Sequence, residues 1–316
     1  MIRPGLLQHL PLYRKFLVTT FLILIGTITL NMVAGLMIEG LWNLDPMKLD
    51  PTGGPGHVNA YKLLVLLGTG LGAFLIPALV AAFLLFEDPW GNLGLRKSNS
   101  NTTTYILGAV AVLMSLPLIN LLVLLNEQMQ LPGFLEPVEQ WMMDSEKQLK
   151  VLTEAMLNMA SWSDLAVNLF IIAVVPAVAE ELLFRGLLQK LFLELTKNKH
   201  WAIWISAILF SAIHMQFYGF IPRMLLGAMF GYLFVWTGNI WIPILAHFLN
   251  NGFAVLASYL FPSGKENVFD ENTIGQSASD WWLLLLSAGL VSYCLFRLYQ
   301  GRITIPNKSS ETPNGQ

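Results

Sequence analysis

Two adjacent acids and a base one helical turn later, Glu180, Glu181 and Arg185, interrupt an otherwise apolar stretch of the chain. Farther on, His214 closes the run Phe210-Ser-Ala-Ile-His214, and His247 opens the run His247-Phe-Leu-Asn-Asn251. A carboxylate can take a proton from water, while imidazole and carboxamide groups can hold a developing oxyanion, so the set suits hydrolysis of a peptide bond. One carboxylate with two imidazoles is also a zinc set, formed by Glu180, His214 and His247 with a fourth position open for water. The HExxH signature of zincins is absent, and so is the GxSxG nucleophile elbow. Cys294 is the one cysteine and has no neighbouring base, which rules out a disulfide framework and disfavours a cysteine nucleophile. Neither a P-loop nor a dinucleotide fingerprint is present.

Helix geometry divides the labour between the two acids. Glu181 and Arg185 are four residues apart with the acid first, the favourable order for an ion pair along a helix. Glu180 points about 100° away and is left for chemistry. His247 and Asn251 share a helix face, as do Phe210 and His214. Counting about 1.5 Å per residue from the helix ends near Lys190, Trp201 and Asn239 puts Glu180, His214, His247 and Asn251 roughly 12–20 Å deep. Three helices thus present their polar groups near the middle of a hydrocarbon core about 30 Å thick.

Those helices must be membrane spans. Of the 316 residues, 55% are hydrophobic and 12% charged, and the mean hydropathy is +0.58. An ordinary soluble domain carries about 25% charged residues, so this chain cannot clothe itself in a polar surface. The formal net charge of -2 argues against nucleic-acid binding. Eight stretches approach the roughly 20 apolar residues a spanning helix needs: 16–38, 60–86, 104–126, 165–188, 201–217, 219–237, 239–261 and 280–297. The fold expected is therefore all-α and polytopic, with about eight transmembrane helices. The first span is too long for a signal-peptide core and reads as a retained helix. Residues 1–15 read as a cytoplasmic segment, 16–126 as three spans, and 127–163 as an amphipathic interfacial connection rich in Met and Trp. The segment that carries the polar groups follows over 165–261, then a last span over 280–300 and a polar, disordered tail over 301–316. Arg3, Arg14, Lys15, Arg96, Lys97, Lys190, Lys197, Lys199, Arg297, Arg302 and Lys308 fall on one side of such an arrangement. That asymmetry puts both termini in the cytoplasm.

Glu180-Glu181-Leu-Leu-Phe-Arg185 resembles the EExxxR motif of the CAAX-processing and bacteriocin-processing intramembrane proteases, the CPBP or Abi family. Phe210–His214 is similar to its FxxxH motif and His247–Asn251 to its HxxxN motif, in family order on separate expected helices. The resemblance covers 165–261 and implies an α-helical membrane endopeptidase whose substrate is a membrane-associated protein or peptide. It implies that Glu180 with His214 activates the attacking water, with Glu181 and Arg185 in the same motif. His247 and Asn251 would then stabilise the oxyanion. Zinc dependence is open within the family. Two rival readings are a proton-coupled transporter using the same acid and imidazoles, and a silent member that binds a membrane partner.

Three further features read as structure. Gly227-Ala-Met-Phe-Gly231 is a GxxxG pattern that permits close helix approach. Arg223 is expected to snorkel to the outer interface, with a grip on a substrate carboxylate as the alternative. Pro176, one turn before Glu180, frees a backbone carbonyl.

Overall fold

The computed structural model describes residues 3–96, 100–129, 131–261 and 281–301. Among them the regular elements are all helical. Seven helices are long and apolar enough to cross a membrane: α1 Leu12–Trp42, α2 Pro55–Leu85, α3 Thr102–Glu127, α5 Trp162–Thr196, α7 Phe220–Thr237, α8 Trp241–Leu260 and α9 Trp281–Gln300. Between them lie α4, Glu136–Leu157, and α6, Lys199–Ala212. The chain is an all-α, multi-pass membrane protein.

The boundaries follow local chemistry. Ser161 and Asp164 form a reciprocal capping box that starts α5. Lys197, left-handed at φ 54°, ends that helix, and the Asn198 carboxamide accepts the His200 and Trp201 amides to start α6 two residues on. Gly238, at φ 61°, likewise closes α7 just before α8. Connections this short fold α5 back on α6 and α7 back on α8. A half-buried pair between Lys15 and Glu194 (3.0 Å) joins the start of α1 to the end of α5. On the same side Gln8 donates to Glu87, and Asn239 to the Tyr105 hydroxyl.

Helix α5 lies at the centre. Of its most apolar window 56% is buried, against 11% for α1 and 17% for α9, which present their apolar faces outward. Leu183, Phe184, Leu187 and Leu191 pack into the main core with Ala78, Ala82 and Leu85 of α2 and Phe210 of α6.

The stretch expected as a span over 201–217 departs from expectation. It yields only the 14 residues of α6, about 21 Å at 1.5 Å each. The chain then turns through 213–219 before α7 begins. Met215 takes the left-handed conformation there, φ 55°, which stops the helix. The long connection forms one helix, α4, preceded by a single turn at Gly133–Leu135. The tail expected to be disordered lies, from 302 on, outside the described residues.

Candidate active site

The sequence places Glu180 and Glu181 late in a long helix, and the backbone there sharpens the distinction between them. From Leu182 to Leu188 the helix widens into π-helical turns, a local underwinding that often accompanies functional sites. Glu181 is fully buried and its Oε1 accepts from Arg185 Nη1 at 2.6 Å. The same oxygen accepts from His247 Nδ1 at 2.9 Å. The predicted pairing of Glu181 with Arg185 is thus present, with a third member that helix periodicity did not reveal.

Arg185 is enclosed on every side. Its guanidinium lies over the Phe210 ring (4.6 Å to the centroid) and near the Phe230 ring (5.4 Å). Its Nη2 donates to the Gly227 carbonyl at 3.0 Å. A Cβ on Gly227 would sit 3.2 Å from that nitrogen and 3.1 Å from the Phe210 ring. A Cβ on Gly231 would come within 2.7 Å of Gln189 Oε1 and 2.9 Å of Ile203. The GxxxG pattern therefore brings α7 close to α5 and α6, as expected, and in doing so delivers a backbone carbonyl to Arg185.

Each imidazole has one nitrogen committed. His214 follows the end of α6, where the last carbonyls lack helical donors. Its Nδ1 lies 2.7 Å from the Phe210 carbonyl, which can only accept, so Nδ1 carries the hydrogen. The lone pair of the neutral ring is then on Nε2. His247 is fixed in the same sense, because Nδ1 donates to Glu181. Its Nε2 is 3.9 Å from Glu180 Oε2 and 3.3 Å from Asn251 Nδ2. Asn251 Nδ2 also donates to the Ile172 carbonyl at 3.0 Å, which sets which end of the amide is nitrogen. Pro176 has no N–H to offer a carbonyl one turn back, and Ile172 O, four positions earlier, takes its hydrogen from Asn251 instead. Phe210 ties the imidazoles together, edge-on to His214 (5.0 Å) and to His247 (6.0 Å), while Phe230 stacks on His247 at 5.4 Å.

Glu180, His214, His247 and Asn251 line one open cavity of about 590 Å³. Glu181 and Arg185 do not reach its wall and support it from behind. Glu180 Oε2 is buried and accepts no hydrogen bond from the described residues. Sequence reasoning missed two wall components. Leu152, Thr153, Met156 and Leu157 bring the end of α4 against the cavity, and Asn168 Nδ2 donates to the Met156 carbonyl to hold it there. Arg223, expected to snorkel to the outer interface, instead lines the cavity with its guanidinium on Gln216. Its position directly after the turn of a hairpin that bends at the site was the missing information.

For zinc, the candidate ligands were Glu180, His214 and His247. Among the described residues no three His, Cys, Asp or Glu side chains are grouped to hold a metal ion. His214 and His247 each spend Nδ1 on a protein acceptor, which leaves one nitrogen apiece facing the cavity.

Comparison with known proteins finds similarity over the same part of the chain. Residues 162–253 match the family described as Type II CAAX prenyl endopeptidase Rce1-like. The chain is 32% identical over 106 residues to the putative membrane peptidase YdiL of Bacillus subtilis, covering 33% of this chain and 41% of that protein. It is 29% identical over 109 residues to the membrane-embedded CAAX protease MroQ of Staphylococcus aureus, covering 33% of this chain and 44% of that protein. A third relative, the uncharacterized protein YpbD of Bacillus subtilis, is 30% identical over 86 residues, 26% of this chain and 41% of that protein. The matches span less than half the length of each of these curated relatives. No solved structure matches the chain. The segment 162–253 contains all three motifs, and over that segment the chain is similar to the Rce1-like CAAX endopeptidases.

Proposed function

We propose that the chain is an intramembrane endopeptidase that hydrolyses a peptide bond in a membrane-associated protein or peptide, by CAAX-like or bacteriocin-type processing. The observation that carries this reading is the shared cavity: one carboxylate without a hydrogen-bond partner on its buried oxygen, and two imidazoles with defined hydrogen positions, face the same space.

The reaction needs a proton taken from water and returned to the leaving amine. Glu180 and the bare Nε2 of His214 are the acceptors available, and such a positioned base contributes roughly 10²–10⁴-fold. As water attacks, the carbonyl oxygen becomes an oxyanion. The Asn251 amide supplies a donor to it, as does His247 when its Nε2 carries a proton taken up from solvent before the attack, a contribution of roughly 10²–10³-fold for one donor. Glu181 acts through His247: it accepts from Nδ1 and so fixes the ring's orientation. The proton then passes from the base to the amine as the C–N bond breaks. Zinc is not required in this scheme. Both termini lie in the cytoplasm of a bacterial inner membrane, in keeping with the Lys/Arg asymmetry.

The test is cleavage by the full chain reconstituted in lipid vesicles, read on prenylated CAAX peptides and on internally quenched membrane peptides. Turnover should persist after dialysis against a strong chelator and fall at least 10²-fold in His214→Ala. Activity that disappears with the metal and returns with zinc would overturn the metal-free scheme. No cleavage of any probe by folded protein would overturn the protease reading.

A further inference from the structure

Arg223 is the cation in the cavity that the hydrolytic scheme leaves unused. Arg185 is spent on Glu181, the Gly227 carbonyl and two rings, and does not reach the cavity wall. Arg223 does reach it, in the same space as Glu180, His214 and His247. Its Nη2 donates to Gln216 Oε1 at 2.6 Å, and Nη1 to the Gln216 carbonyl at 3.4 Å. A guanidinium has five N–H donors, so these two bonds leave most of the fork uncommitted. Among the described residues no carboxylate lies within ion-pair distance of it. Glu146 of α4 and Glu180 influence it through space without touching it.

A half-buried cation costs free energy unless something pairs with it, and a carboxylate paired bidentately is the natural partner of the fork. The rest of the wall is apolar, from Val65, Val123, Leu152, Met156 and Leu226. A partner that satisfies both is a peptide of apolar residues bearing one carboxylate. A phosphate dianion fits less well, because Glu180 and Glu146 already place negative charge nearby.

We infer that Arg223, steadied by Gln216, is a substrate-recognition residue that binds a carboxylate of the peptide, either its free C terminus or an acidic side chain close to the bond cleaved. The inference rests on the peptidase reading for its substrate class, and binding can be measured without turnover.

Three dansyl-labelled heptapeptides of apolar sequence serve as probes: one with a free C-terminal carboxylate, one with a C-terminal carboxamide, and one carboxamide with Glu as its last residue. Binding is followed by fluorescence on the full chain carrying Glu180→Gln, in detergent micelles. The free acid, the Glu peptide or both should bind roughly tenfold or more tightly than the plain amide, as expected of a hydrogen-bonded ion pair. Preference for the free acid assigns the C terminus, and preference for the Glu peptide assigns a side chain. Adding Arg223→Gln should abolish the preference, and Arg223→Lys should restore part of it. Equal binding of all three probes would overturn the inference. So would a preference that survives Arg223→Gln, or a variant that loses thermal stability while keeping the preference, which would make Arg223 structural. A carboxylate preference in a protein that cleaves nothing would instead count against the peptidase reading alone.

Discussion

At the scale of single residues, Glu181 Oε1 is the junction of the site, since it accepts from Arg185 at 2.6 Å and from His247 at 2.9 Å. Removing its charge leaves Arg185, which is 1% exposed, without a carboxylate, and breaking such a buried pair costs about 3–5 kcal/mol. Glu180 makes no comparable contact, and Gln fits the same volume. Glu180→Gln should therefore lower kcat by at least about 10²-fold while leaving the thermal midpoint nearly unchanged. Glu181→Gln should lower the midpoint by several degrees and reduce activity with it, through both Arg185 and His247. Parallel measurements of turnover and thermal unfolding check this, and equal loss of activity at an unaltered midpoint in both variants would contradict the division. The helical spacing of Glu181 and Arg185 made half of this junction legible, because i, i+4 neighbours on one helix are fixed by geometry. The other half joins positions 66 apart on two helices, and no local period encodes it. Arg223 was harder still, since its sequence position near a span end fits an interfacial cation as well as a cavity wall.

At the scale of helices, the site depends on how closely α7 approaches α5 and α6. Gly231 stands where any Cβ would meet Gln189 Oε1 at 2.7 Å and Ile203 at 2.9 Å, and Gly227 stands over Arg185. Gly231→Val must push the helices apart, at a cost of about 1–3 kcal/mol for overpacking. Because the Gly227 carbonyl would withdraw from Arg185, activity should fall along with stability. Gly289 on α9 has nothing within 4 Å of its Cβ position, so Gly289→Ala is the matched control and should change neither activity nor the thermal midpoint by more than experimental error. A thermal melt and a turnover assay on the pair make the comparison; a harmless Gly231→Val would show that the close approach is not needed. The glycine pattern itself was legible, as were most of the spans, because an apolar run and a GxxxG repeat are local signals. The length of α6 was not. Its sequence stays apolar beyond Ala212, and the helix stops because Met215 turns left-handed and the chain folds back toward α7.

At the scale of the whole molecule, the short α6 matters for topology. About 21 Å of helix does not cross a core about 30 Å thick. The turn over 213–219 therefore falls within the depth of the membrane. Irregular backbone is tolerated there only where it lines a cavity, and His214, Gln216 and Gly219 do line one. α6 and α7 are thus a hairpin that rises from one side and turns at the cavity, with His214 at its tip and Arg223 just beyond it. The side from which it rises is tied to the rest of the fold by contacts that cannot be shared across a bilayer. Lys15 pairs with Glu194, Gln8 donates to Glu87, and Ile240 N donates to the Gly94 carbonyl. The start of α1, the α2–α3 connection, the α5–α6 turn and the α7–α8 turn must therefore share a face. Arg14, Lys15, Arg96, Lys190, Lys197 and Lys199 all lie on or near it, and the positive-inside rule predicts that this face is the cytoplasmic one. Reporter fusions within 96–101 and at Asn198 should then both report cytoplasm, while fusions at Gly54 and within 158–161 should report the opposite side. Split signals from 96–101 and Asn198 would break the shared face and with it the hairpin. Concordant signals of the reverse sign would keep the fold and invert the protein, so that the cavity would receive its substrates from the other compartment.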